Sequence, residues 1–300
     1  YKLQWGICLL IILGPASTTL GLKIAENLNL PTVEVESKTF PDGECYVRLT
    51  RDVRGENVLI VQSTHPPQNT HIIQLFLLVD ATVKMGAKET TVVSPYLAYS
   101  RQDKTFRPYE AISIRTISSI LESLGVKRLM TVSAHEPKAF QHSGFSYLNL
   151  SATSVLAQYF LKMNLQELVA FAPDLKAGRM AEEASKIFGG AYGWFKKKRD
   201  RITGEISMVY EGKLQVKNRN IVLFDDIIST GGTTATAVRM LKNMGAERVF
   251  SACVHPLLIG NAYEKIIRNG AEAVIGTDTV PSNVSVVSVA SLIAEALKQA

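Results

Sequence analysis

"IVLFDDIISTGGTT", Ile221 to Thr234, is the stretch on which the reading of this chain turns. An apolar run of strand character ends in two adjacent aspartates, Asp225 and Asp226, and passes into Ser229-Thr230-Gly231-Gly232-Thr233. Adjacent carboxylates repel one another, and paired glycines cost chain entropy unless the backbone needs their freedom. The segment is expected to hold something. In open α/β sheets ligands sit beyond the carboxyl ends of strands, which is where the two acids fall. Ser229 to Thr233 then open a helix whose unpaired amides and dipole favour an anion. Gly231 and Gly232 remove side chains, so those amides can wrap an oxyanion as a nest; Thr230 and Thr233 add hydroxyl donors. A phosphate in the loop with sugar hydroxyls on the carboxylates, a phosphorylated pentose, is the simplest ligand that satisfies both halves. The competing reading is an ordinary Ser/Thr cap with a glycine turn. Capping needs only one such side chain, and it leaves two carboxylates unexplained.

Around this stretch the chain repeats itself. "VKMGAKETTVVSPYL", Val83 to Leu97, echoes "KNMGAERVFSACVHPLL", Lys242 to Leu258. Each reads as a helix end, a glycine near the C-cap, a charged pair, an apolar strand and a proline turn. "SLGVKRLMTVSAHEP", Ser123 to Pro137, and "RNGAEAVIGTDTVP", Arg268 to Pro281, repeat the pattern within each half. The pattern predicts helices over Ile72–Met85, Ala111–Leu124, Thr233–Met244 and Ala262–Asn269. Strands are expected at Leu9–Leu13, Asn57–Gln62, Thr90–Val93, Leu129–Val132, Val169–Ala172, Ile221–Phe224, Val249–Val254 and Ala273–Ile275. Helices alternating with short, continuously apolar strands imply parallel sheets covered on both faces. The expected architecture is two similar doubly wound α/β domains, residues 8–152 and 153–300. "VLIVQSTHPPQNTHIIQLF" occupies in the first half the place of "IVLFDDIISTGGTTATAVRML" in the second, yet has neither the acidic pair nor the glycines. Maintaining the fold does not require them.

The bulk numbers narrow the class. Three hundred residues with 46% hydrophobic and 20% charged content describe a globular chain of about two domains. The net charge of +6 is mild and suits a small anionic substrate; there is no long basic run of the kind that grips nucleic acid. Cys8, Cys45 and Cys253 are odd in number and scattered. That argues against a disulfide scaffold or zinc site and for a reducing, cytoplasmic setting. "YKLQWGICLLIILGPAS" loosely imitates a signal peptide, but its apolar run is too short to span a bilayer. It is read as a first buried strand, a turn at Gly14-Pro15 and a helix. The missing initiator Met suggests that the first residues are incomplete or altered.

The Ser229–Thr233 loop resembles the phosphoribosyl-diphosphate signature of the type I phosphoribosyltransferase fold, which contains both transferases and the synthetases that make their substrate. Further matches follow in order. "FPDGE", Phe40 to Glu44, and "SRQD", Ser100 to Asp103, look like the adenine-nucleotide elements of ribose-phosphate diphosphokinases of archaeal type. "SAHEP" around His135 is similar to that family's metal- and phosphate-side histidine. "APDLKAGRMAEEA" resembles its ribose-side loop, with Asp174 assisting metal and sugar. "KKKRD" looks like its catalytic segment, which places Lys197 and Arg199 against the transferring phosphate. The loop departs from many relatives in reading "DLKAGR", and three consecutive lysines make the choice of Lys197 depend on its spacing to Arg199.

The resemblance implies Mg²⁺, with His135 and Asp174 as metal-side residues. It assigns Phe40, Asp42, Gly43, Glu44, Arg101, Gln102 and Asp103 to ATP. Ribose 5-phosphate falls to Arg199, Asp225, Asp226, Ser229, Thr230, Gly231, Gly232 and Thr233. Homo-oligomers are implied, with "FPDGE" serving a neighbouring copy. The alternatives are a phosphoribosyltransferase, which needs one such domain and no "FPDGE…SRQD" pair, and a non-catalytic regulatory chain, expected to lose the acids or the Lys-x-Arg charges. Plainer readings stand beside the motifs: Asp42-Gly43 as a hairpin turn, "SRQD" as a polar loop, "KKKRDR" as a solvated loop, and His135 as a structural histidine. His65, His71, His142 and His255 are read as structural.

Overall fold

The structure, a computed structural model, describes residues 9–140, 143–199, 206–212 and 214–299; for 197–199, 206 and 207 it describes the backbone alone. The chain divides into two compact units, passing from the first to the second after Leu150 and back to the first after Ser288. The first contains β1 (Leu9–Leu13), α1 (Thr18–Leu28), β2 (Thr32–Val33), β3 (Val35–Thr39), β4 (Cys45–Leu49), β5 (Asn57–Val61), α2 (Gln68–Lys84), β6 (Glu89–Ser94), α3 (Ser113–Ser123), β7 (Arg128–Val132) and β8 (Ser146–Leu150). The second contains α4 (Thr153–Leu161), β9 (Leu168–Ala172), α5 (Gly178–Phe188), β10 (Tyr192–Trp194), β11 (Lys196–Arg199), β12 (Ile206–Val209), β13 (Asn220–Ile228), α6 (Gly232–Asn243), β14 (Arg248–Pro256), α7 (Ala262–Arg268), β15 (Ala273–Thr277) and β16 (Ser285–Val287).

Each unit has a six-stranded sheet, ordered β2-β1-β5-β6-β7-β8 in the first and β10-β9-β13-β14-β15-β16 in the second. Every pairing within the two sheets is parallel. The orders are the same path traced twice, which is the duplication seen in the sequence. Each path is interrupted at the same point by an antiparallel hairpin, β3–β4 in the first unit and β11–β12 in the second. The turn Phe40–Glu44 and the Lys196–Arg199 strand therefore belong to equivalent hairpins.

The apolar strands are central because they are covered on both sides: β1, β5 and β9 are buried at every position. In the second unit Phe171, Phe195, Leu223, Val238, Leu241 and Val249 share one core. One domain expectation is corrected. The last helix, α8 (Ala290–Gln299), belongs to the first unit together with Val289, so the second unit closes at Ser288 rather than at residue 300. Its buried face (Ala290, Ile293, Ala294, Leu297) is amphipathic helix of ordinary kind, and nothing in its periodicity says which sheet it covers.

Candidate functional site

The site around the acidic pair exists because neighbouring strands end at different heights. β9 pairs with β13 only as far as Phe171 with Leu223, whereas β14 continues alongside to Pro256 opposite Ile228. β13 thus projects past β9, and the acids lie within the projecting part of the strand rather than beyond its end. This corrects the expected strand end at Phe224. Asp225 and Asp226 are half-buried, and each carboxylate accepts the amide of the next residue: Asp226 N–H at 3.0 Å and Ile227 N–H at 2.8 Å.

The chain leaving β9 curls towards this ledge. Asp174 accepts the amide of Ala177 at 3.0 Å, turning the chain into α5. None of residues 174–177 takes a positive φ, so the "DLKAGR" wording costs the loop nothing. Asp174 is close enough for its charge to act on Asp225. Burial chiefly, then the charge of Asp226 and the charge of Asp174, hold the Asp225 carboxyl well above the usual carboxylate range. Sequence spacing does not show that the charge of Asp174 reaches Asp225.

After Ile228 the chain bends into the loop. Gly231 is the N-cap of α6 at φ 70°, and a Cβ there would lie 3.0 Å from the carbonyl oxygen of Ala262. Both facts require glycine. Gly232 differs: its φ is ordinary, and a Cβ would meet nothing within 4 Å. Gly232 and Thr233 are exposed, with open space above them. No side chain caps α6; its first internal bond runs from Ala235 N–H to the Gly231 carbonyl at 2.9 Å. The amides of the first turn are left for an outside acceptor, at the positive end of a twelve-residue helix.

The equivalent place in the first unit shows the contrast. There Gln62, Ser63 and Thr64 follow β5, fully buried. Gln62 Oε1 accepts Ala16 N–H at 3.0 Å, Ser17 Oγ accepts Ser63 N–H at 2.7 Å, and Thr64 Oγ1 accepts Ala98 N–H at 2.7 Å. Of these amides only that of Ser63 belongs to the loop itself, and α2 starts without a side-chain cap as α6 does. The copies differ in burial, the loop after β5 being closed over by side chains while Gly232 and Thr233 lie exposed.

The KKKRD segment forms β11. The backbone of Lys197 and Arg199 lies in the hairpin, opposite Met208 and Ile206; their side chains, and all of Asp200 and Arg201, lie outside the described residues. Strand alternation puts positions 197 and 199 on one face and 196 and 198 on the other. Lys196 is already paired with Glu211 at 2.7 Å.

In the first unit Phe40 to Glu44 form the β3–β4 turn, closed by Phe40 N–H to the Glu44 carbonyl at 2.8 Å. Asp42 gives one carboxylate oxygen to the turn, accepting Glu44 N–H at 3.1 Å, and Gly43 sits at φ 96°. The hairpin-turn reading therefore holds for Asp42-Gly43. Phe40 is 38% exposed, with Lys38 Nζ 4.6 Å from its ring centre. Gly43, Glu44, Asn69 and Thr70 line one cavity of about 440 Å³. Tyr99, two residues before Arg101, donates its hydroxyl to Asn69. The Phe40–Glu44 turn and the segment leading into Ser100–Asp103 thus both approach the start of α2.

Arg101 is exposed, while Gln102 and Asp103 are half-buried. Their loop is folded by a residue the sequence reading missed. The Glu110 carboxylate accepts Phe106 N–H at 2.7 Å, Arg107 N–H at 3.0 Å and the Gln102 amide at 3.5 Å. The amides of Arg107 and then Phe106 hold its carboxyl below the usual range. Asp103 and Glu136, the neighbour of His135, line a second cavity of about 680 Å³ with Arg115 and Lys138. His135 is half-buried and follows Ser133, a non-glycine residue at φ 42°. His135 and Asp174 belong to different units. Among the described residues no three His, Cys, Asp or Glu side chains form a metal-holding group.

Comparison with known proteins gives the same picture along the whole chain. Residues 9–125 match the family model described as the N-terminal domain of ribose phosphate pyrophosphokinase, and residues 148–291 match the phosphoribosyl transferase domain. A ribose-phosphate pyrophosphokinase of Saccharolobus solfataricus is 38% identical over 92% of this chain and 94% of its own length. One of Methanosarcina acetivorans is 39% identical, covering 96% and 99%. The crystal structure of phosphoribosylpyrophosphate synthetase from Mycobacterium smegmatis superposes with a TM-score of 0.85 at 29% identity, covering 97% of each chain.

Proposed function

The chain belongs to the ribose-phosphate pyrophosphokinase family, and from that premise we propose that it converts ATP and ribose 5-phosphate into AMP and 5-phosphoribosyl 1-diphosphate. The observation that carries the sugar-phosphate side is the uncapped start of α6 beside Asp225 and Asp226. The 5-phosphate sits on the amides of Ser229 to Thr233, and the carboxylates accept from ribose hydroxyls. In the reaction the 1-hydroxyl oxygen attacks the β-phosphorus and gives up its proton to solvent, the bond from that phosphorus to the α,β-bridging oxygen breaks, and AMP leaves with that oxygen.

Such a transfer concentrates negative charge and needs little covalent work from the protein, so positioning and cations supply most of the acceleration. Lys197 and Arg199, on one face of β11, neutralise charge developing on the transferred group, and Arg199 adds a planar fork for phosphate oxygens. Phe40 stacks on the adenine, Glu44 accepts from its amine, and Arg101 fixes the triphosphate with Gln102 and Asp103 beside it.

Mg²⁺ fits the donor chemistry. The crowding that holds Asp225 toward its protonated form is relieved by a cation, and Mg²⁺ takes one or two carboxylates while substrate oxygens and water complete its shell. Asp174 is its proposed neighbour beside the acidic pair, and His135 is proposed separately as a metal-side residue of the first unit; the ion would supply charge neutralisation of the phosphates. The proposal extends to a homo-oligomer in the cytoplasm; Cys45 and Cys253 are both free thiols, as suits a reducing compartment. No helix among the described residues is long and apolar enough to cross a membrane.

The test is the nucleotide product. Purified protein with ATP, ribose 5-phosphate and Mg²⁺ is expected to yield AMP and sugar diphosphate in equal amounts. ADP as the sole nucleotide product contradicts the proposal.

A further inference from the structure

Three successive carbonyls in the loop after β13 are held by one neighbouring segment. Ile228 O accepts Leu258 N–H at 3.0 Å, and Ser229 O accepts Ile259 N–H at 3.0 Å. Thr230 O accepts the Lys265 ammonium at 3.0 Å. In a trans peptide the N–H points opposite to the C=O of the same unit. Pinning those three carbonyls toward residues 258–265 therefore turns the next three amides, of Ser229, Thr230 and Gly231, away from that segment. The left-handed turn at Gly231 then reorients the following peptide, whose amide is that of Gly232, and Ala262 lies so close behind that a Cβ at position 231 would have to push it back. An array of successive amides on one side of a turn is an anion-binding nest.

The first two pins are backbone bonds that any sequence could make. The third depends on a side chain. Lys265, half-buried on α7, supplies it. We propose that Lys265 is a positioning residue for ribose 5-phosphate: its ammonium latches the Thr230–Gly231 peptide so that the Gly231 amide faces the 5-phosphate. It also adds positive charge behind the loop. This rests on the reading of Ser229–Thr233 as the phosphate site and assigns that site a device outside the motif, thirty-five residues further along the chain. Lys265 need not touch the substrate, so its removal acts on sugar binding and not on ATP.

The experiment compares Lys265→Met, which keeps the stem and loses the ammonium, with Lys265→Arg, which keeps a donor, in the full-length protein. A third variant, Thr233→Glu, tests the loop itself. Position 233 is exposed in the first turn of α6, where a carboxylate suits the helix but repels a phosphate. Lys265→Met is expected to raise the KM for ribose 5-phosphate about tenfold, the order of one charged hydrogen bond. The KM for ATP and the melting temperature stay at wild-type values, and Lys265→Arg restores most of the loss. A ribose 5-phosphate KM within twofold of wild type in Lys265→Met overturns the latch, as does an equal rise in both KM values. If Thr233→Glu raises the sugar KM while Lys265→Met does not, the latch alone is wrong. If Thr233→Glu leaves it unchanged, the phosphate site itself is misplaced and the latch falls with it.

Discussion

Asp225 stands directly opposite Cys253, in register on adjoining parallel strands, and burial makes each costly to ionise. For Cys253 burial is the main cause, followed by the charge of Asp225; for Asp225 it is burial, followed by Asp226 and Asp174. Keeping Asp225 ionised at this place therefore costs stability, and the parts of the ledge are expected to respond differently to substitution.

Asp225→Asn is expected to raise thermal stability and weaken the sugar. A carboxyl whose folded pKa lies above its unfolded value binds more protons when folded, so its contribution to stability falls as pH rises from the ordinary carboxylate range through the raised pKa. The amide removes that loss. The gain is on the order of 1 kcal/mol, about 2–4 °C in melting temperature, present at neutral pH and absent near pH 4. Calorimetry at both pH values checks the stability, and the KM for ribose 5-phosphate should rise at least tenfold. A variant less stable at neutral pH contradicts the assignment.

The glycines separate in the same way. Gly231→Ala forces a side chain into left-handed backbone against Ala262 and should cost about 1–2 kcal/mol. Gly232→Ala has ordinary φ and open space, so stability should hold or rise by about 0.4–1 kcal/mol. Denaturant melts of the two variants decide it; equal losses would refute the difference.

Lys197→Ala should lower turnover by about two to three powers of ten while the KM for ATP changes modestly, because the contact matters chiefly in the transition state. Lys196→Ala, which breaks the surface pair with Glu211, should change turnover little. Steady-state kinetics of both variants test the choice, and a reversed order moves the role to Lys196.

Thiol labelling gives a structural control. Cys253 is fully buried and its thiol is pushed up by burial, whereas Cys45 is half-buried. Alkylation of the native protein at neutral pH should modify Cys45 well before Cys253. Peptide mapping reads the order, and early loss of Cys253 contradicts the packing of β13 on β14.

Much of this architecture was legible in the sequence, for physical reasons that differ along the chain. Buried parallel strands are short continuous apolar runs, so Leu9–Leu13 was found to the residue and the duplication could be seen. Strands that carry polar residues escape: the continuation of β13 through Asp225 and Asp226 looks like a loop because its outer half is polar and only half-buried. Tertiary choices were silent. The amphipathic pattern of α8 shows that it is buried, not that it returns to the first unit. The Ser229–Thr233 motif carries its expectation of an anion in its own residues, whereas Lys265 and Glu110 act through carbonyl and amide contacts that leave no spacing signature.

The most direct test is a crystal structure of the protein with ribose 5-phosphate. The account predicts the phosphate within hydrogen-bonding distance of the amides of residues 229–233, with ribose hydroxyls on Asp225 or Asp226. A phosphate bound elsewhere, with the start of α6 occupied only by water, would contradict it.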